Sequence, residues 1–230
     1  MKTFKAVLTR FFSFLRLEGE IRIILNPAGA LCKLGWFRSV REKRSVDASG
    51  APLPWLSYPA IDFIAERLDR SQVLFEYGCG GSTTWFAQRC KEVYSVEHHE
   101  EWRDEISKRL PTNARLIFKP LGRSVEYLGV AFTKTTERNA YSDAIATAPR
   151  PDVVVIDGIF RNACVAAACA AVAETGILIY DNTDFPETQE GVSYLVERGW
   201  RRVRFVGMSP IFDKLTETSV FYKTPNCWKI

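Results

Sequence analysis

Val73-Leu-Phe-Glu-Tyr-Gly-Cys-Gly-Gly-Ser-Thr-Thr-Trp-Phe-Ala87 is the stretch on which the reading of this chain turns. Val73 to Tyr77 is an apolar run with one acid, Glu76, near its carboxyl end, and reads as a buried strand. Gly78, Gly80 and Gly81 follow, so the backbone can turn sharply and come close to a ligand with no Cβ in the way. Ser82, Thr83 and Thr84 supply hydroxyls suited to capping a helix that opens there. Strand, glycine loop and helix in that order form a nucleotide-type binding loop.

Downstream the apolar periods alternate. Strands are expected at 92–97, 114–118, 152–157 and 176–181, and helices at 82–90, 99–110, 162–174 and about 187–198. Five apolar strands separated by helices imply a mostly parallel sheet covered on both faces. Arg202 to Val206 and Ser219 to Lys223 flank a turn-rich stretch and predict a closing antiparallel hairpin. Upstream, Ala60 to Leu68 has helical spacing, and the prolines of 51–59 hold the chain extended. Trp55 and Tyr58 on that segment are candidates either to cover a ligand or to pack on the surface.

The glycine loop departs from the dinucleotide pattern G-x-G-x-x-G, because Thr83 stands where the third glycine belongs. Glu76 also sets a negative charge where a pyrophosphate would lie, and suits a ligand bearing an ammonium group. No G-K-[ST] element is present, which excludes a P-loop. Glu97 ends the second strand, 19 residues after Gly78, where a carboxylate can accept both hydroxyls of a ribose. A ribose and a cation without phosphate describe S-adenosylmethionine.

On Glu76-x-Gly78-x-Gly80 and Glu97, residues 55–225 resemble the class I S-adenosylmethionine-dependent methyltransferases. That resemblance implies a Rossmann-like three-layer α/β sandwich with a seven-stranded sheet whose last strand runs antiparallel. It also implies cofactor contacts from Glu76, Gly78, Gly80, Ser82, Thr83, Glu97, His98 and Asp157. His98 and His99 are expected beside the adenine. Asp157 and Asp181-Asn182 stand at the carboxyl ends of adjacent buried strands, where open α/β sheets bind ligands. Two carboxylates and an amide oxygen suit Mg²⁺, and the catechol O-methyltransferase-like branch holds its metal with a similar set. Asp157, Asp181 and Asn182 are therefore candidate metal ligands, set against a metal-free role for the same carboxylates. The lysine base of that branch is missing: Phe160 stands in its place and Arg161 follows. Asp157, Arg161 and Asp181 are the expected catalytic group, with Arg161 orienting the acceptor.

Residues 51–230 are expected to be the methyltransferase-like domain, and residues 1–50 a basic helical extension and connector. The extension holds ten Lys/Arg against four Asp/Glu, leaving 21 against 23 for the rest of the 230-residue chain. A near-neutral body argues against a nucleic-acid partner. Phe4, Val7, Leu8, Phe11 and Leu15 fall at helical spacing with basic residues between them. Residues 1–25 are thus candidates for peripheral contact with the inner face of a membrane, or for packing on the domain or on the second subunit of a homodimer. Arg10 and Arg16 interrupt any membrane span or signal core. Residues 38–50 read as a solvated connector.

Six cysteines without C-x-x-C or finger spacing suit a reducing cytoplasm. The expected activity is methyl transfer to an oxygen of a small-molecule or glycan-like acceptor. The alternatives are a non-catalytic nucleoside-binding protein docked through its basic helix and, less favoured, a dehydrogenase. Acceptor specificity is expected from 120–150, the 183–190 loop and the 207–218 turn, where Phe185-Pro186 and Pro210-Ile-Phe212 suggest apolar walls.

Overall fold

The computed structural model describes residues 18–121 and 134–230. The amphipathic pattern of residues 1–17 and the glycines at 122 and 129 lie outside the described residues. Strands β1 (Val73–Tyr77), β2 (Glu92–Glu97), β3 (Ala114–Phe118), β4 (Val153–Ile156), β5 (Ile177–Asp181), β6 (Arg201–Met208) and β7 (Leu215–Tyr222) form one sheet, in the order β3-β2-β1-β4-β5-β7-β6. β1 to β5 pair in parallel, and β7 pairs antiparallel with both β5 and β6. The expected α/β sandwich and its closing hairpin are both present.

Alternation along the central strands builds a core on each face, because successive side chains point to opposite sides. Leu74, Val153 and Val155 pack with Ile61, Ile64, Trp85 and Phe86 on one side. Phe75, Tyr77, Val154 and Ile156 pack with Ile145, Cys164, Val165 and Leu195 on the other. The first face is covered by helices Tyr58–Ala65 and Gly81–Ala87, the second by Arg161–Ala171 and Gln189–Glu197. The alanines of Arg161–Ala171 let that helix lie close on the sheet; Ala163, Ala167 and Ala168 are fully enclosed.

Strand order reverses between β1 and β4. Their register pairs Tyr77 with Ile156, so the next residues, Gly78 and Asp157, leave the sheet side by side. A crevice opens at such a switch point, at the carboxyl ends of the strands.

The solvated connector expected over 38–50 is corrected. Trp36–Glu42 is a helix, and residues 44–54 fold back as a compact loop with a bridge between Val46 and Pro52. The Ser39 hydroxyl organises this fold, donating to Val46 O at 2.7 Å and accepting from Val46 N at 3.1 Å. Charged residues on the outer side of the loop mask the few buried groups that hold it. Trp36 Nε1 donates to Phe212 O at 2.8 Å, joining this segment to the β6–β7 turn. No helix among the described residues is long and apolar enough to cross a membrane.

Candidate active site

Gly78 adopts φ +96°, a conformation open to glycine and strained for other residues. The loop turns there directly above Glu76. Glu76 is buried to 2% exposure and is held by two hydroxyls, Thr83 Oγ1 donating at 2.7 Å and Ser95 Oγ at 2.8 Å. Ser95 reaches it because β1 and β2 pair Glu76 with Ser95. Thr83 Oγ1 also accepts from Gly80 N at 3.1 Å, closing the loop on itself. Burial pushes the Glu76 carboxyl up to about 7, against the lowering effect of its hydroxyl partners. A cation delivered to this carboxylate would relieve that desolvation penalty.

Glu97 ends β2, the strand beside β1. Its Oε1 accepts from the backbone N–H groups of His98 and His99, each at 2.7 Å. Burial would raise this carboxyl, but the hydrogen bonds from His98 and His99 outweigh it and hold the group below the usual carboxylate value. Glu97 Oε2 meets the Cys79 thiol at 3.4 Å. Glu76 is thus the carboxylate destabilised by its surroundings, and Glu97 the one kept ionised.

A cavity of about 460 Å³ joins these groups, lined by Glu76, Gly78, Ser82, Glu97, His98 and Asp157 among the expected residues. That is within the usual range for a small-molecule site. The lining also includes Trp55, Cys79, Trp102, Tyr141 and Gly158. Trp55 therefore faces the ligand space, whereas Tyr58 is packed in the core. Thr83 lies beneath the loop and reaches the cavity only through Glu76. Trp102 and Tyr141 carried no sequence signal beyond being aromatic. Trp102 is fixed by its indole N–H to Cys79 O at 2.7 Å, and the Tyr141 ring lies 6.0 Å from that of His98.

Asp157, Asp181 and Asn182 converge, as expected, and Arg161 lies between them. Nη2 donates to Asp157 Oδ1 at 2.9 Å and Asp157 O at 3.1 Å. Nη1 donates to Asn182 Oδ1 at 2.7 Å and Asp181 O at 3.0 Å, and Nε to Gly158 O at 3.0 Å. These contacts use the five N–H groups a guanidinium possesses. Burial raises the carboxyls of Asp157 and Asp181, each also repelled by a neighbouring carboxylate, and Arg161 offsets part of that rise. Asp181 Oδ1 accepts from Thr218 Oγ1 at 2.5 Å, and Thr218 Oγ1 accepts from Ser57 N at 3.0 Å.

The magnesium expectation does not fit this arrangement. Arg161 takes Asp157 Oδ1 and Asn182 Oδ1, Thr218 takes Asp181 Oδ1, and the guanidinium charge between the two carboxylates opposes a second cation there. Among the described residues no group of three or more His, Cys, Asp or Glu is placed to hold a metal ion.

No protein-family model matches the sequence, and neither does any curated protein. Solved structures do match. A precorrin-6y C5,15-methyltransferase from Geobacter metallireducens superposes with a TM-score of 0.52 at 14% identity, over 72% of this chain and 87% of its own. A candidate O-methyltransferase from Klebsiella pneumoniae gives 0.54 at 13% identity, over 90% and 96%. This chain has the Rossmann-like methyltransferase fold. Within that fold Glu76, Gly78 and Glu97 stand around one cavity at the switch point, and Asp157 lies on its wall. Asp181 and Arg161 sit behind Asp157 and do not line the cavity.

Proposed function

We propose that the chain is an S-adenosylmethionine-dependent methyltransferase acting on an oxygen of a small-molecule or glycan-like acceptor. One observation carries this reading: two buried carboxylates of opposite character, Glu76 and Glu97, face one cavity beneath a glycine loop. Glu76 gains from an ammonium group, and Glu97 stays ionised to accept a diol. S-adenosylmethionine carries both groups, and when bound it supplies a methyl group on a positively charged sulfur. A pyrophosphate ligand would instead meet the Glu76 charge.

Asp157 is the one member of the expected catalytic group on the cavity wall. Held by Arg161 through one oxygen, its carboxylate accepts the hydrogen bond of an acceptor hydroxyl. With S-adenosylmethionine bound to supply the methyl group, Asp157 would take the proton that the acceptor hydroxyl gives up on methylation. Arg161 and Asp181 keep Asp157 in place, and much of the rate comes from positioning the two reactants in line.

Isothermal titration with S-adenosylhomocysteine tests the reading. Micromolar binding is expected, weakened about tenfold or more in Glu97→Ala, consistent with loss of a charge-assisted hydrogen bond to the ribose. Absence of binding at high micromolar protein, with Glu97→Ala indistinguishable from the parent, would sink it. NADH binding with fluorescence enhancement would favour a dehydrogenase instead.

A further inference from the structure

A second cavity, of about 420 Å³, lies against the first and shares with it a wall made by Trp55, Cys79, Ser82, Trp102 and Asp157. Its charge is opposite to that of its neighbour. Lys43, Arg44 and Arg109 line it, and its one acid is Asp157, already paired with Arg161. Arg109 is bound to Glu105 at 2.6 Å. No described carboxylate lies within ion-pair distance of Lys43 or Arg44.

The backbone that carries the two exposed cations is held in place from behind. Lys43 adopts φ +52° and ends the helix Trp36–Glu42, with its N–H on Ser39 O. The following loop is pinned by Leu53 N to Ser45 O at 3.0 Å and by Asp47 Oδ1, which accepts from Ser49 N and Ala51 N. Across the cavity stands Ile211 at φ +72°, a backbone state that a β-branched residue seldom takes. Its neighbour Phe212 is clamped by the Trp36 indole and lies 6.5 Å from the Trp55 ring. Strain of this kind persists only where the surroundings impose it, and it gathers at ligand sites.

We propose that this second cavity takes the methyl acceptor and that the acceptor carries a carboxylate or phosphate, held by Lys43 and Arg44. The assignment of the ligand as the acceptor rests on the methyltransferase reading; the oxyanion site rests on the cavity's own charge. A transfer between two substrates needs two adjoining sites. The cavity holding Glu76 and Glu97 attracts the cationic, ribose-bearing partner, and the cation-walled one attracts an anion. Asp157 lies on the shared wall, where the acceptor's hydroxyl must meet the donor. Trp55 and Trp102 offer apolar faces to the body of the acceptor.

The test uses the full chain saturated with S-adenosylhomocysteine, titrated with inorganic pyrophosphate as the oxyanion probe. Binding is expected, weakened about tenfold or more in the double variant Lys43→Ala/Arg44→Ala and unchanged in Lys91→Ala, a cation outside both cavities. A panel of hydroxylated acids and sugar phosphates, each paired with its neutral ester or unphosphorylated parent, is then offered with methyl-labelled donor. Label is expected in charged members and not in their neutral partners. Pyrophosphate binding that is absent, or indifferent to the double substitution, overturns the proposal, as does label in neutral members or in none. It is also overturned if the double variant loses affinity for S-adenosylhomocysteine but not for 5′-methylthioadenosine, since the cations would then hold the donor's own carboxylate. Failure to bind S-adenosylhomocysteine at all, with pyrophosphate still bound through Lys43 and Arg44, would count against the methyltransferase reading and leave the oxyanion site standing.

Discussion

Arg161 Nη1 donates to Asn182 Oδ1 at 2.7 Å while Nη2 of the same guanidinium donates to Asp157 Oδ1 at 2.9 Å, so one side chain straps the carboxyl end of β4 to that of β5. Asn182 is held in the left-handed region, φ +56°, and Phe160, just before Arg161, at φ +50°. Both turns are stabilised by what the guanidinium binds. The cation that a metal would supply is therefore built into the chain.

Removal of Arg161 leaves Asp157 and Asp181 buried without their counter-charge. Arg161→Ala is expected to lose about 3–5 kcal/mol of stability, the usual consequence of breaking a buried ion pair from one side. Denaturant unfolding measures it; a loss below about 1 kcal/mol would mean the strap is dispensable. Methyl transfer by the parent is expected to be indifferent to EDTA and to added Mg²⁺. Loss of activity in EDTA with recovery on Mg²⁺ would restore the metal to the mechanism.

The proposed pairing of Glu76 with the donor's ammonium group makes donor binding depend on pH. The Glu76 carboxyl is raised from the usual 4.5 to about 7, so the folded protein holds a proton that the unfolded chain gives up. The stability from this group is complete below pH 4.5 and is lost as pH rises through about 7. An ammonium ligand reverses the preference by stabilising the ionised form. Affinity for S-adenosylhomocysteine should therefore tighten by up to about tenfold per pH unit below 7 and level off above it. Calorimetry in buffers of different ionisation enthalpy should show a proton released on binding. A flat pH profile in the parent, matching that of Glu76→Gln, would remove Glu76 from the donor site.

Gly158 sits where the two loops touch. A Cβ there would come within 2.3 Å of the Tyr141 hydroxyl and 2.9 Å of Gly78 N. The second contact is with backbone and cannot be relieved by a rotamer change. Gly158→Ala is expected to cost about 1–3 kcal/mol, the range for overpacking, and to weaken S-adenosylhomocysteine binding because the glycine loop must shift. Thermal unfolding and titration together check this. An alanine variant with parental affinity would show that the loop has slack the close approach does not suggest.

The centre of the sheet was legible because its strands are buried and read as continuous apolar runs, such as Val153-Val-Val-Ile156, with punctuating glycines and acids. The acids that line the cavity stood out for a related reason. A carboxylate at the end of an apolar strand, as at Glu76, Glu97 and Asp157, has few roles besides a site. Three features were hidden by the physics that makes them work. The Trp36–Glu42 helix and its loop are organised around the buried Ser39 hydroxyl and a few loop contacts, in a stretch dominated by charged residues. Strands β6 and β7 extend past their apolar centres because Thr216, Glu217, Thr218 and Ser219 are buried among partners such as Thr183, Arg202 and Arg204, a cross-strand pairing no local window contains. Arg161 resembled an acceptor-binding cation in the sequence. Its hydrogen bonds to residues 157–158 and 181–182 became visible only when β4 and β5 were side by side.

Asp157 is where the strap meets the chemistry. It lines both cavities, and under the proposed function its carboxylate receives the acceptor's proton. Asp157→Asn keeps the shape and the capacity to accept a hydrogen bond, but removes the capacity to take the proton. Methyl transfer should fall by about 10²–10⁴-fold, the range for loss of a positioned general base, while affinity for S-adenosylhomocysteine changes by less than about threefold. The measurement is single-turnover transfer with an accepted substrate, alongside calorimetry of the donor product. If transfer persists near the parental rate, proton removal lies with solvent or another group. If instead donor affinity collapses with it, Asp157 belongs to the donor's grip and not to the acceptor's activation.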